Sequence, residues 1–194
     1  MFSNSTKDIG IGFYTTDNTP DTWWFHKISM SVMRCKGHKY AHVEAIDDQE
    51  RFYGIYSGQQ IHTMERRKFF DRGGKYEYYT LTVTQDQHKK FYNFFSKKKK
   101  NSRFNYSVYL IFTRCDMGSN RFFCSQLIAE ALLSAGIFSR HKWPRSYKIT
   151  PDILFSLLYN SDRLLMGSKR VKILRKIKEN EEEREKEHVI DMYN

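Results

Sequence analysis

Cysteine and proline are both scarce in this chain, and each scarcity excludes a class of architecture. The three cysteines are an odd number and form no Cys-x-x-Cys pair, so a disulfide framework is not expected. The three prolines form no Pro-rich linker, and no internal repeat is visible. With 194 residues, the chain is long enough for one domain with its own core. We therefore expect one domain over residues 1–178, a charged tail over residues 179–194, and a reducing compartment.

Long apolar runs and targeting segments are also missing. No stretch approaches the roughly 18 apolar residues of a membrane span, and Met1–Gly10 lacks the charged and apolar regions of a secretory signal. These features predict a cytoplasmic protein. Neither a metal-ligand spacing nor a phosphate-binding glycine loop occurs, so the sequence predicts no metal ion and no cofactor.

Aromatic residues and positive charge are what the chain has in excess. Phenylalanine (15) and tyrosine (13) can supply much of the buried area of a small core. The net charge of +11 favours an anionic partner, such as nucleic acid, a phospholipid surface or an acidic protein. The run Lys97, Lys98, Lys99 and Lys100 is the candidate contact with a membrane surface or nucleic acid, although a solvated helix end has the same pattern more often.

Hydrophobic periodicity and turn residues predict the order of the elements. Strands are predicted over Ile9–Thr15, Ala41–Ile46, Arg51–Ser57, Tyr76–Thr84 and Val171–Ile177. Helices are predicted over Trp23–Arg34, after a capping box at Thr84 and Gln87, over Phe104–Phe112, over Cys124–Ala135, and after Thr150 and Pro151. This order favours an α+β domain with an antiparallel sheet packed against helices.

Cys124 occupies the first turn of its predicted helix, on the apolar side shared with Leu127 and Ile128. The positive end of the helix dipole stabilises a thiolate at this position. Free backbone N–H groups, including that of Cys124, can stabilise an oxyanion there. A buried structural cysteine would fit the same position. Cys35 and Cys115 lack this setting, and we expect both to be inert.

His42 is the candidate for the base that a thiol nucleophile needs. It opens the apolar strand His-Val-Glu-Ala-Ile, whereas His62 lies in a loop-like stretch. Alternation along the strand puts Glu44 on the same side as His42, so Glu44 is the candidate for orienting the imidazole. The returning strand offers Tyr56 or Ser57 as alternatives.

Several segments of the chain carry a resemblance to a known family, in that family's order. They include Ile9-Gly-Ile-Gly-Phe-Tyr, Tyr40-Ala-His-Val-Glu-Ala-Ile, Phe122-Phe-Cys-Ser-Gln-Leu-Ile-Ala-Glu-Ala-Leu-Leu-Ser-Ala-Gly-Ile and Ile149-Thr-Pro-Asp-Ile-Leu. Together they resemble the permuted branch of the papain-like NlpC/P60 superfamily, which includes YiiX-like bacterial proteins and a poxvirus protein family. The resemblance covers roughly residues 9–175. It implies a papain-like fold with Cys124 as the nucleophile and His42 as the base.

The chain also departs from that family's pattern. Members often have glycine where this chain has Glu44, and a glutamate on the next strand, where this chain has Gly54-Ile-Tyr-Ser. The third catalytic residue therefore stays open among Glu44, Tyr56 and Ser57. At the nucleophile, Phe-Cys-Ser-Gln differs from the Asn-Cys-Glu-His of the lecithin:retinol acyltransferase-like relatives, so their lipid chemistry is not implied.

The candidate pair and the resemblance predict a cysteine hydrolase or acyltransferase acting on an amide, ester or thioester bond. Peptide, lipid and protein-conjugate substrates all suit this chemistry. The alternative is a catalytically inactive member that acts as a binding or structural protein. In that alternative the basic surface would hold nucleic acid or an anionic membrane.

Overall fold

A computed structural model describes residues 5–15, 37–55, 61–65, 76–99, 105–106, 121–164 and 173–174. The elements are β1 (Thr6–Thr15), β2 (Tyr40–Ile46), β3 (Arg51–Gly54), β4 (His62–Glu65), β5 (Tyr76–Thr84), α1 (Gln85–Lys99), β6 (Asn105–Tyr106), β7 (Arg121–Phe122), α2 (Cys124–Ser134), α3 (Pro151–Leu164) and β8 (Ile173–Leu174). Two short 3₁₀ turns, Arg140–Lys142 and Ser146–Lys148, lie between α2 and α3.

Six of the strands form one sheet in the order β4-β3-β2-β1-β5-β8. Every neighbouring pair in it is antiparallel. The long β1 lies between β2 and β5, with Phe13 opposite Val43 on one side and Ile9 opposite Leu81 on the other. The short β6 and β7 form a separate parallel pair. The predicted α+β class with an antiparallel sheet is therefore confirmed.

The sheet and the three described α-helices bury a common core. Alternate residues of β1, namely Ile9, Ile11 and Phe13, are 0% exposed and belong to this core. The helices contribute Phe91 and Phe95 of α1, Leu127, Ile128 and Leu132 of α2, and Leu154 and Leu158 of α3. Burial of such a side chain stabilises the fold by roughly 1.5–3 kcal/mol relative to its exposure to water. This packing holds α2 against β2, which positions the candidate site.

Local sequence sets the ends of the helices as predicted. At the start of α1, Gln87 N–H donates to Thr84 Oγ1 (3.2 Å) and Thr84 N–H donates to Gln87 Oε1 (3.1 Å), which is the capping box. Gly136, just after α2, has φ +66°, a conformation that favours glycine. In the described part of the chain, no helix is long and apolar enough to cross a membrane.

Three predictions of secondary structure need correction or completion. Asn105–Tyr106 is a strand paired with Arg121–Phe122, which contradicts a helix at that part of Phe104–Phe112. His62 begins β4 and does not lie in a loop. Of the predicted last strand, Ile173–Leu174 is confirmed by its pairing with β5. The predicted helix over 23–34, the rest of 104–112 and the tail after residue 178 lie outside the described residues.

Candidate active site

Strand β2 carries both His42 and Glu44, and it contains a β-bulge just before His42. Tyr14 pairs with His42 while Thr15 pairs with Tyr40, so Ala41 is an extra residue in β2. In a regular strand, residues three apart point to opposite faces of the sheet. Because of the bulge, Tyr40 and Val43 both belong to the core between the sheet and the helices. His42 lies beside the ring of Tyr14, with the ring centroids 5.4 Å apart.

Helix α2 begins at Cys124, which is 3% exposed and is free of any disulfide. The preceding residue, Phe123, is extended and provides no side-chain cap, so the backbone N–H groups of the first turn point out of the helix end. Ser125 Oγ donates a 2.6 Å hydrogen bond to the Ile149 carbonyl, which ties this end of α2 to the segment before α3. The arrangement places the thiol at the positive end of a firmly held helix.

The Cys124 thiol is close enough to the His42 imidazole to raise the pKa of His42. His42 Nε2 lies 3.8 Å from Glu44 Oε1, an ion-pair distance that is too long for a hydrogen bond. The imidazole thus lies close to both a thiol and a carboxylate.

Burial and charge act in opposite directions on His42. Burial lowers the pKa of His42, but the interaction with Cys124, followed by that with the nearby Glu44 carboxylate, raises it to about 10. The site therefore favours an imidazolium next to groups that can be anionic. A thiolate–imidazolium pair is the form in which a cysteine attacks a carbonyl.

Glu44 is almost completely buried, at 1% exposure. Its Oε2 accepts a 2.8 Å hydrogen bond from the Tyr14 hydroxyl, while Oε1 faces His42. A carboxylate buried in this way requires partners of this kind. Sequence reasoning missed Tyr14, since only the register between β1 and β2 brings it beside His42 and Glu44.

The start of β2 is anchored to α3 through Asp152. Its Oδ1 accepts hydrogen bonds from the backbone N–H groups of Lys39 (2.9 Å) and Tyr40 (3.2 Å). Its Oδ2 lies 2.9 Å from His38 Nδ1. This anchor fixes β2 just before His42, and it accounts for His38 as a structural contact.

The basic end of α1 lies at the same end of the molecule as Cys124. At one end of the helix pair, Gln87 Nε2 donates to the Gly136 carbonyl (3.1 Å). At the other end, Lys98 Nζ lies 5.9 Å from the ring centroid of Phe122. Helices α1 and α2 are therefore antiparallel, and the last turn of α1, with Lys97, Lys98 and Lys99, lies at the end of the helix pair where α2 begins.

The structure brings Cys124, His42 and Glu44 together. The alternatives for the third residue, Tyr56 and Ser57, lie outside the described residues, as do Cys35, Cys115 and Lys100. Within the described ranges, no group of three or more His, Cys, Asp or Glu side chains is placed to hold a metal ion.

Comparisons with known proteins give no further guide to this arrangement. A scan against protein families, a search of curated proteins and a search of solved structures all find no match. The family resemblance of the sequence therefore stays a prediction. The chemistry of the site has to be inferred from its own geometry.

Proposed function

We propose that this chain is a cysteine hydrolase or acyltransferase with a papain-like fold of the permuted NlpC/P60 type. Cys124 is the nucleophile and His42 is the general base and acid. The observation that carries the proposal is the buried His42 imidazole, which lies between the Cys124 thiol and the Glu44 carboxylate. A histidine held between a thiol and an orienting group is the arrangement that activates cysteine nucleophiles.

The reaction divides into acylation and deacylation. In acylation, His42 holds the proton of the Cys124 thiol as imidazolium, and the sulfur attacks the carbonyl carbon of an amide, ester or thioester. The Cys124 backbone N–H donates to the oxygen as it becomes an oxyanion. The intermediate collapses to a thioester, and the imidazolium gives its proton to the leaving group. Water, or a second acceptor, then attacks the thioester while His42 takes its proton, and the Cys124 thiol is restored.

We expect the substrate of this enzyme to carry negative charge near its acyl group. The last turn of α1 places Lys97, Lys98 and Lys99 at the end of the molecule where Cys124 lies. Positive charge beside a reaction centre raises the local concentration of anionic substrates. The same lysines would serve an anionic membrane surface from which such a substrate is taken.

A second candidate function is binding without catalysis. The exposed fraction of Cys124 is only 3%, and a thiol so well covered is also what a structural cysteine shows. In that case the basic end of α1 would be the functional surface, and the thiol would be inert.

Labelling with iodoacetamide separates the two candidates. Limiting reagent is added from pH 4 to pH 9 to wild type, His42→Ala and His88→Ala, and peptide mass mapping identifies the labelled cysteine. The proposal expects Cys124 to react faster below pH 7 than an ordinary thiol does, because an adjacent imidazolium would favour the thiolate. His42→Ala should slow this reaction by at least about tenfold. The control, His88→Ala, removes a histidine of α1 outside the site and should leave the rate unchanged.

The opposite result is equally clear. Cys124 would react slowly at neutral pH in all three proteins, with a rate that rises around the ordinary thiol pKa of about 8.5. That outcome, in variants whose circular dichroism matches wild type, overturns the enzymatic proposal and favours the binding function.

A further inference from the structure

The Glu44 side chain occupies the space in which a side chain at position 54 would lie. Glu44 and Gly54 are side by side on β2 and β3, since Ala45 pairs with Tyr53 in the adjoining position. A Cβ atom built on Gly54 would lie 2.7 Å from Glu44 Cγ and would also collide with Oε1. Real Cβ atoms do not approach other atoms so closely. The Glu44 carboxylate therefore fills the space that a side chain at position 54 would occupy.

Backbone conformation does not explain the glycine at position 54. Among the described glycines, those with positive φ are Gly37 and Gly136, so Gly54 has a backbone that other residues adopt readily. A glycine in a strand also weakens it relative to a residue with a side chain. What Gly54 provides is the room for Glu44.

The Glu44 carboxylate is held in that room by partners on two strands. Tyr14 of β1 donates to Oε2, and His42 of β2 faces Oε1. On the β1 side, the residue opposite Glu44 is another glycine, Gly12. The carboxylate is thus held by contacts with side chains of both β1 and β2.

Resting on the proposed function, we propose that Glu44 and Gly54 form an exchangeable pair that supplies the orienting carboxylate of the Cys124–His42 site, with Tyr14 positioning it. In this proposal the site requires a carboxylate in this volume, and a glutamate on either β2 or β3 can supply it. Glu44, Gly54 and Tyr14 are then positioning residues that act on the thiol through His42. Tyr56 and Ser57 are not needed for this role.

A swap of the two residues tests the proposal. The variants are Glu44→Gly, Gly54→Glu, the double variant Glu44→Gly/Gly54→Glu, and Tyr14→Phe. The measurement is the Cys124 labelling rate with iodoacetamide at pH 6 relative to the rate at pH 10. This ratio reports how far the site favours imidazolium and thiolate at low pH, which a merely structural role of Glu44 would not change.

We expect Glu44→Gly to lower the ratio about tenfold, as a loss of one pKa unit would, and Tyr14→Phe to lower it by a smaller factor. Gly54→Glu alone should fold poorly, because two carboxylates would share one buried volume. The double variant should restore the ratio to within about threefold of wild type, a strongly non-additive result. Gly10→Ala is the matched control: its Cβ would crowd Tyr78 in the same sheet, so it should lower stability without changing the ratio.

Two outcomes overturn the inference while leaving the proposed function intact. One is a dependence of labelling on His42 with no effect of Glu44→Gly. The other is a folded double variant whose ratio stays as low as that of Glu44→Gly. If the double variant does not fold, Glu44→Gln decides, since it keeps the volume and removes the charge, and an unchanged ratio refutes the role of the carboxylate. Failure of the proposed function itself is recognised separately, by labelling that does not depend on His42.

Discussion

Among single residues, His42 and His88 are histidines whose pKa values are shifted in opposite directions from the ordinary value of 6.5. Each can therefore serve as a control for the other. Burial lowers the pKa of His42, but Cys124 and Glu44 outweigh this effect and raise it to about 10. Burial lowers the pKa of His88 below 6.5, despite the charge of Asp48. Protonation therefore stabilises the folded state at His42 and destabilises it at His88.

The pH dependence of stability follows from these signs. Stabilisation from His42 is fully present below pH 6.5, the unfolded value, and is lost as the pH rises toward about 10. The difference in unfolding free energy between wild type and His42→Gln should therefore shrink steadily from pH 6 to pH 10. Urea denaturation at fixed pH values measures this difference.

His88→Gln provides the control for this prediction. Because the pKa of His88 is lowered, its contribution is present above pH 6.5 and is lost as the pH falls below that value. The difference between wild type and His88→Gln should change below pH 6.5 and be flat from pH 7 to pH 10. A flat profile for His42→Gln over the same alkaline range would contradict a raised pKa at His42.

Individual residues of the site differ in how far sequence could predict them. Cys124 and His42 follow from local pattern, because each depends on the first turn of one helix or the start of one strand. Glu44 follows from alternation, although only the structure shows how close it lies to His42. Tyr14 and Gly54 could not be predicted as site residues, because their roles depend on pairing between separate strands.

At the scale of elements, α1 offers the clearest test of whether neighbouring residues set where a helix begins. Thr84→Ala removes the hydroxyl that accepts from Gln87 N–H and should lower the free energy of unfolding by about 1 kcal/mol. Thr84→Ser keeps the hydroxyl and should stay close to wild type. Urea midpoints at constant slope measure the difference. Equal stability of the two variants would show that the capping box contributes nothing to α1.

Two elements show where local pattern fails. The β4 segment His-Thr-Met-Glu has few strand-forming residues, and its pairing with β3 makes it a strand. Asn105–Tyr106 is extended because it pairs with Arg121–Phe122, although its Tyr-x-x-Tyr-Leu context favours a helix. In both cases hydrogen bonds to a distant segment outweigh the weak preferences of a short one.

At the scale of the whole molecule, the antiparallel packing of α1 and α2 brings the basic end of α1 to the end of α2 where Cys124 lies. Neither helix by itself shows that the lysines and Cys124 share one end of the molecule. The arrangement predicts that Cys124 prefers an anionic electrophile. Iodoacetate and iodoacetamide differ mainly in charge, so the ratio of their labelling rates measures this preference.

Lys97→Gln/Lys99→Gln should lower that ratio on the order of threefold at low salt, because two positive charges are lost from the end of α1 that lies next to Phe122. Added salt should reduce the ratio of wild type in the same direction. Lys89→Gln/Lys90→Gln removes equal charge from an earlier turn of α1 and should have a smaller effect. An equal effect of both pairs would mean that net charge, and not the end of α1, attracts the anion.

Features that depend on near neighbours along the chain could be predicted from the sequence. These are the alternation of β1 and β2, the capping box of α1, and the position of Cys124 at the start of α2. Long-range packing is what brings Tyr14 beside His42, puts Glu44 in the space above Gly54, and places the basic end of α1 next to Phe122. The reason is that strand register and helix packing are set by the burial of side chains far apart in sequence, which no local window contains.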